Sequence, residues 1–196
     1  MIEDDPTPAV IGELARSSIR LVQGHWTWRD KNLGPGMQKT IEEIAGARTV
    51  LTSAGLHVKE IRRGDDPPDC EAIVNNELWS IEVTELVDQA WLSNAMKRKK
   101  NGQPPPDPFS WTQQALLKRL HEIIEKKDES ARHYQRRYTR CALVVLTAET
   151  ELHKHAVGEF LRGAEFHVTR ITDVYLGLDY HGSLKEKGSH PVFRLL

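Results

Sequence analysis

The chain has 196 residues, a mass of 22.3 kDa and a formal net charge of −1, with 39% hydrophobic and 28% charged residues. This suits one domain with a sizeable core and excludes a fibrous or fully disordered chain. No run of about 18 apolar residues is present, so no membrane span is expected. The acidic start MIEDDPTP lacks the charged-then-apolar layout of a secretion signal, so a cytoplasmic location is expected.

In chain order, apolar residues at helical spacing predict a helix over 8–22, and 25–37, with Trp26, Trp28, Gly34, Pro35 and Gly36, reads as a loop. Residues 1–37 are thus an extension ahead of a domain spanning 38–196. Ile41, Ile44, Ala45 and Leu51 predict a helix over 38–54, which Gly55 stops. A short strand is expected over 57–63, then a corner at Gly64-Asp65-Asp66-Pro67-Pro68. Strands over 69–74 and 77–86 follow, joined at Asn75-Asn76, a pair that tolerates the positive φ of a tight hairpin.

Beyond the hairpin, 88–96 predicts a short helix, and KRKKNGQPPPDP at 97–108 a mobile basic loop. Ser110 is expected to cap a long amphipathic helix reaching about 137, with Ala115, Leu116, Leu120, Ile123 and Ile124 as its buried stripe. CALVVLT at 141–147 reads as a strand covered on both faces. A helix over 150–161 and strands over 173–178 and 191–196 complete the chain. The fold class is α/β, a mixed central sheet flanked by helices in the order α-β-β-β-α-β.

Charge is segregated along the sequence. Between positions 97 and 140 there are twelve Lys and Arg against five Asp and Glu, which leaves fifteen against twenty-three elsewhere. A basic segment beside an acidic site suits a polyanionic substrate. Cys70 and Cys141 stand in apolar strand patterns and read as buried free thiols. His153 and His155, two apart on a predicted helix, face different directions and read as surface residues.

The stretch PPDCEAIVNNELWSIEVTE at 67–85 carries the chemistry. Glu82 lies among Trp79, Ile81 and Val83, where an unpaired carboxylate would be costly. Strand alternation puts Ser80, Glu82 and Thr84 on one face, and the hairpin brings Asp69 toward Glu82. Two carboxylates with the Val83 carbonyl and waters could form the oxygen-only, partly hydrated site that Mg²⁺ or Mn²⁺ prefers.

Pro68-Asp69 and Glu82-Val83-Thr84, with twelve residues between the carboxylates, together with the order helix, three strands, helix, strand, resemble the PD-(D/E)xK nuclease superfamily over roughly 38–146. The resemblance implies a restriction-endonuclease-like fold and Mg²⁺- or Mn²⁺-dependent hydrolysis of phosphodiesters in DNA. Under it Asp69 and Glu82 bind the ion, and Glu43, with Glu42 as the near alternative, supplies the acid of the preceding helix. Thr84 occupies the slot of the family's lysine, which would orient the attacking water and stabilise transition-state charge. Lys118 is the expected substitute for that lysine, and Gln113 or Gln114 would position a water or phosphate. Lys97, Arg98, Lys99 and Lys100 would contact phosphates, with Phe109 and Trp111 stacking on bases. Cutting both strands of a duplex would favour a homodimer. If no cation reaches the site, the alternative is an inactive nucleic-acid-binding or assembly module. A small-molecule phosphohydrolase on an unrelated α/β fold is a third class.

Overall fold

The structure, a computed structural model, describes residues 35–107, 109–149, 151–178 and 190–196. The helix expected over 8–22 and the tryptophans at 26 and 28 lie outside the described residues. Helix α1 (Pro35–Ser53) leads into β1 (Val58–Arg63), β2 (Cys70–Val74) and β3 (Glu77–Glu85). Next come α2 (Gln89–Lys100), α3 (Gln113–Ala131), a 3₁₀ turn (Gln135–Arg137) and β4 (Arg140–Thr147). Helix α4 (Lys154–Phe160), β5 (Asp173–Leu178) and β6 (Val192–Arg194) complete the order.

The six strands form one sheet in sequence order. β2 runs antiparallel to both of its neighbours, β1 and β3, while β3, β4 and β5 run parallel, and β6 closes the edge antiparallel to β5. This is the mixed sheet flanked by helices that the element order predicts. The tight hairpin at Asn75 and Asn76 is present, with φ of 50° and 66°.

Alternation along the strands builds two apolar layers. On one face Ala47, Val50 and Leu51 of α1 cover Trp79, Ile81, Val144 and Tyr175. On the other, Leu116, Leu120, Ile123 and Ile124 of α3 cover Leu143, Val145, Val174 and Leu176. β4 is therefore buried on both faces, as its unbroken apolar run requires. Packing under α1 is close: a Cβ added at Gly177 of β5 would lie 2.5 Å from Val50 Cγ2 and 3.1 Å from Leu146 Cδ2. Valine cannot swing aside at χ1, so Gly177→Ala should lower stability by about 1–3 kcal/mol, measurable by urea denaturation.

Several boundaries differ from the sequence expectations. α1 begins at Pro35 rather than 38, so the expected loop gives up its last three residues. Lys97, Arg98, Lys99 and Lys100 are not in a loop; they form the last turn of α2, where cations face the negative end of the helix dipole. Asp88 caps its start by accepting the Trp91 N–H at 2.5 Å, and Gly102, at φ 68°, turns the chain out of it. The N-cap of α3 is Thr112, not Ser110: its hydroxyl accepts the Ala115 N–H at 3.2 Å. α3 stops at Ala131, and the predicted continuation to 137 is a turn. α4 spans only Lys154–Phe160, and His153 precedes it as N-cap, its Nδ1 accepting the Ala156 N–H at 3.3 Å. The final strand is three residues, Val192–Arg194. Both cysteines are buried free thiols. Among the described residues no helix is long and apolar enough to cross a membrane.

Candidate active site

β2 leaves β3 at the point where the acidic residues stand. The last antiparallel pair is Cys70 with Ile81, and from Glu82 onward β3 pairs only with β4. One step further along the same register sets Asp69 opposite Glu82, a spacing at which cross-strand Cβ atoms lie about 5 Å apart. Asp69 takes over part of the ladder's work, its Oδ2 accepting the Val83 N–H at 2.8 Å. The corner before it is closed by Gly64 N–H donating to the Asp69 carbonyl at 2.9 Å. A Cβ on Gly64 would fall 2.1 Å from the Pro68 carbonyl oxygen, so this close approach requires glycine.

Glu82 is 5% exposed and points to the α3 side of the sheet. Its Oε2 accepts the Lys127 ammonium at 2.5 Å. Its Oε1 is buried and, among the described residues, accepts no hydrogen bond of good geometry, although the Tyr134 hydroxyl lies close enough to interact with the carboxylate. Lys127 reaches the site because it stands four residues after Ile123 and four before Ala131 on the buried stripe of α3. Tyr134, just past the helix, encloses the same pocket; burial, then the Glu82 charge, push its phenol upward, so it stays a neutral hydroxyl.

The three carboxylates share one neighbourhood. The Cys70 thiol is pushed up to about 12 by burial and then by the charges of Asp69, Glu43 and Glu82. Glu43 approaches from α1 with Lys39 at 3.0 Å. Its carboxyl is raised mainly by burial, against the Lys39 hydrogen bond, with Asp69 adding repulsion. Among the described residues no three His, Cys, Asp or Glu side chains are grouped to hold one ion. The buried Oε1 of Glu82 does fit a cation, and an all-oxygen pair with Asp69 suits Mg²⁺ or Mn²⁺. Val83, offered by the sequence as a carbonyl ligand, is held beside both carboxylates through its N–H.

The cation comes from a residue the sequence reading missed. Lys118 stands nine residues before Lys127, about 13 Å along the helix axis. It lines a separate cleft with Val87, Asp88, Phe109 and Trp111. Thr84 shares the Glu82 face of β3, opposite Val145 of β4. The missed signal was the heptad-like spacing Leu116, Leu120, Ile123, Lys127, Ala131, in which one lysine sits on an apolar stripe.

Lys127 is held in place through its neighbour. Asp128, also buried, accepts the successive backbone N–H groups of Thr169, Arg170 and Ile171 at 3.2, 2.7 and 2.8 Å, with the Thr169 hydroxyl at 2.8 Å. Successive N–H groups of this kind form a concave anion cradle. The cradle pins the last turns of α3 to the segment leading into β5.

The remaining candidates lie apart from this centre. Gln113 donates through Nε2 to the Phe160 carbonyl at 3.1 Å and ties α3 to α4 rather than standing at the site. Trp111 is buried, with Phe109 edge-on at 5.1 Å, so its ring packs in the core and is not offered to bases. Lys97, Lys99 and Lys100 are exposed at the end of α2.

A second acidic group, unforeseen from sequence, lies where β3 and β4 end. The Glu85 carboxyl is raised to about 7 by burial, then by Glu149 and Glu42. Glu149 is itself raised by burial, partly offset by Trp111. A carboxyl raised above its unfolded value of about 4.3 supports the fold fully below that pH and loses its contribution as pH rises through 7. Glu85→Gln should therefore stabilise the fold more at pH 8 than at pH 4.5, by an amount on the order of 2 kcal/mol in urea denaturation.

Comparison with family models, with curated proteins and with solved structures found no match to this chain.

Proposed function

We propose that the protein is a metal-dependent endonuclease of the PD-(D/E)xK type that hydrolyses phosphodiester bonds in DNA in the cytoplasm, with the lysine of the motif relocated from position 84 to Lys127 on α3. The observation that carries this reading is Lys127 Nζ at 2.5 Å from Glu82, whose other oxygen is buried and, among the described residues, accepts no hydrogen bond of good geometry. Such a carboxylate oxygen beside a lysine is an expensive arrangement for structure alone.

Asp69 and Glu82 would hold Mg²⁺ or Mn²⁺, with the Val83 carbonyl adjacent. When bound, such an ion lowers the pKa of a coordinated water and draws charge from a phosphoryl oxygen. Lys127 donates from its ammonium toward the attacking water or the phosphate oxygens as negative charge develops. Tyr134, kept neutral, orients Glu82 and excludes bulk water. Glu43, shielded by Lys39, contributes negative field rather than a direct ligand. The exposed cations of α2 would contact phosphates of the same strand. A homodimer would allow both strands of a duplex to be cut.

Incubation of supercoiled plasmid with Mg²⁺ or Mn²⁺ tests the proposal. Nicking or linearisation is expected, with loss in Asp69→Asn and in Glu82→Gln. A second reading, a non-hydrolytic nucleic-acid-binding module, draws on the lack of a three-ligand group among the described residues. Salt-sensitive DNA binding with no cleavage under either ion would favour it and overturn the first.

A further inference from the structure

On the α1 face of the sheet, where β3, β4 and β5 begin, lies a cleft of about 380 Å³ lined by Leu56, Asn75, Glu77, Trp79, Arg140, Asp173, Tyr175 and Arg194. Asp69 and Glu82 stand toward the other end of these strands and take no part in it. At its base Asp173 is fully buried. It accepts Arg140 Nη1 at 2.8 and 3.0 Å, Arg194 Nη2 at 3.0 Å and the Thr172 hydroxyl at 2.8 Å. Two guanidiniums around Asp173 leave one positive charge, which Glu77 balances from the rim, 3.7 Å from Arg140 Nε and nearly half exposed.

The arginines are held in position before any ligand arrives. Arg140 lies over the Trp79 ring at 5.4 Å, and Arg194 Nε donates to the Leu196 carbonyl at 2.6 Å. These contacts engage Arg140 through Nη1 and Arg194 through Nε and Nη2, so each guanidinium keeps another edge for an acceptor. Asn75 at the rim has its side-chain oxygen occupied by the His57 N–H at 3.1 Å, and its amide NH₂ remains as a donor. Planar, preoriented N–H forks match the oxygens of a phosphate better than point charges do.

We propose that this cleft binds a phosphate group, free or carried by a small phosphoester. The site is independent of the nuclease reading, since it uses other residues at the other end of the strands. A volume of about 380 Å³ exceeds what the ion alone needs and leaves room for the group that carries it.

Titration of the whole chain with inorganic phosphate, at constant pH and ionic strength, tests the site by two-dimensional NMR of the Trp79 indole N–H and the arginine Nε–H signals. Saturable shifts of those signals are expected, weakened at least tenfold in Arg194→Gln and less so in Arg194→Lys. Arg62→Gln, an exposed arginine on β1, should leave the response unchanged. A parallel titration with ribose 5-phosphate assigns the carried form if it binds tighter and the free ion if it does not. Shifts matched by sodium chloride, or unaltered in both Arg194 variants, would overturn the proposal and leave the arginines as a structural clasp joining β4, β5 and β6. Arg194 lies on an edge strand and is mostly exposed, so both variants should fold, which circular dichroism checks.

Discussion

Lys127→Ala should reduce plasmid cleavage by about 10²- to 10³-fold, the loss expected when one preorganised donor to developing transition-state charge is removed. Nothing else described bonds to Glu82 through a cationic side chain, so the effect should appear in kcat rather than in DNA affinity. The substitution also leaves Glu82 buried and unpaired. Stability should fall by about 2–4 kcal/mol, toward the lower part of the range for broken buried pairs because the Lys127 side chain is a quarter exposed. Two further variants separate chemistry from folding. Adding Thr84→Lys to Lys127→Ala returns an ammonium to the Glu82 face of β3 and should recover part of the cleavage. Replacing the pair together, Glu82→Leu with Lys127→Met, should leave stability unchanged or raise it by about 1–4 kcal/mol while abolishing cleavage. A double variant less stable than Lys127→Ala alone would argue that the pair is retained for the fold.

Asp128→Ala should be the most destabilising substitution of a single polar residue on α3. It removes the acceptor from three backbone N–H groups and a hydroxyl, of which the Ile171 N–H becomes buried without a partner. Hydrogen bonds to a charged group contribute about 1.5–3 kcal/mol each, not additively, so a loss of about 3–5 kcal/mol is expected. For a chain of this size that corresponds to a melting temperature lower by roughly 6–15 °C. The pH dependence has a definite sign. Burial works to raise the Asp128 carboxyl, but the N–H groups of Ile171 and Arg170 and the contacts of Thr169 outweigh it, and the net shift is downward. Its contribution is therefore present above the unfolded value of about 3.9 and is lost as pH falls below it. Wild type and Asp128→Ala should converge in melting temperature under acid. Because Asp128 adjoins Lys127, the variant should also slow cleavage at neutral pH, which a structural role elsewhere on α3 would not produce.

Much of the architecture was legible in the chain because it rests on local patterning. Apolar alternation and the Asn75-Asn76 turn specify the hairpin, and the unbroken run of β4 specifies a strand covered twice. Errors gathered where a local signal met a competing one. The four cations at 97–100 read as a loop from charge density, yet an N-cap at Asp88 and the dipole at the far end make them helical. Ser110 was a plausible cap, but Thr112 lies where the amphipathic stripe begins.

By itself the sequence determined the order of elements, the mixed sheet and the juxtaposition of Asp69 with Glu82, since hairpin register is set by a short turn and side-chain alternation. Only the tertiary structure decided which cation meets Glu82. Residues 82 and 127 are 45 positions apart, and no periodicity within either segment says how far α3 slides along the sheet. That offset is set by packing of Leu116, Leu120, Ile123 and Ile124 against β4 and β5 and by the Asp128 cradle. The same is true of the Arg140, Asp173 and Arg194 cluster: its members come from three strands, and only the closed sheet brings them to one carboxylate.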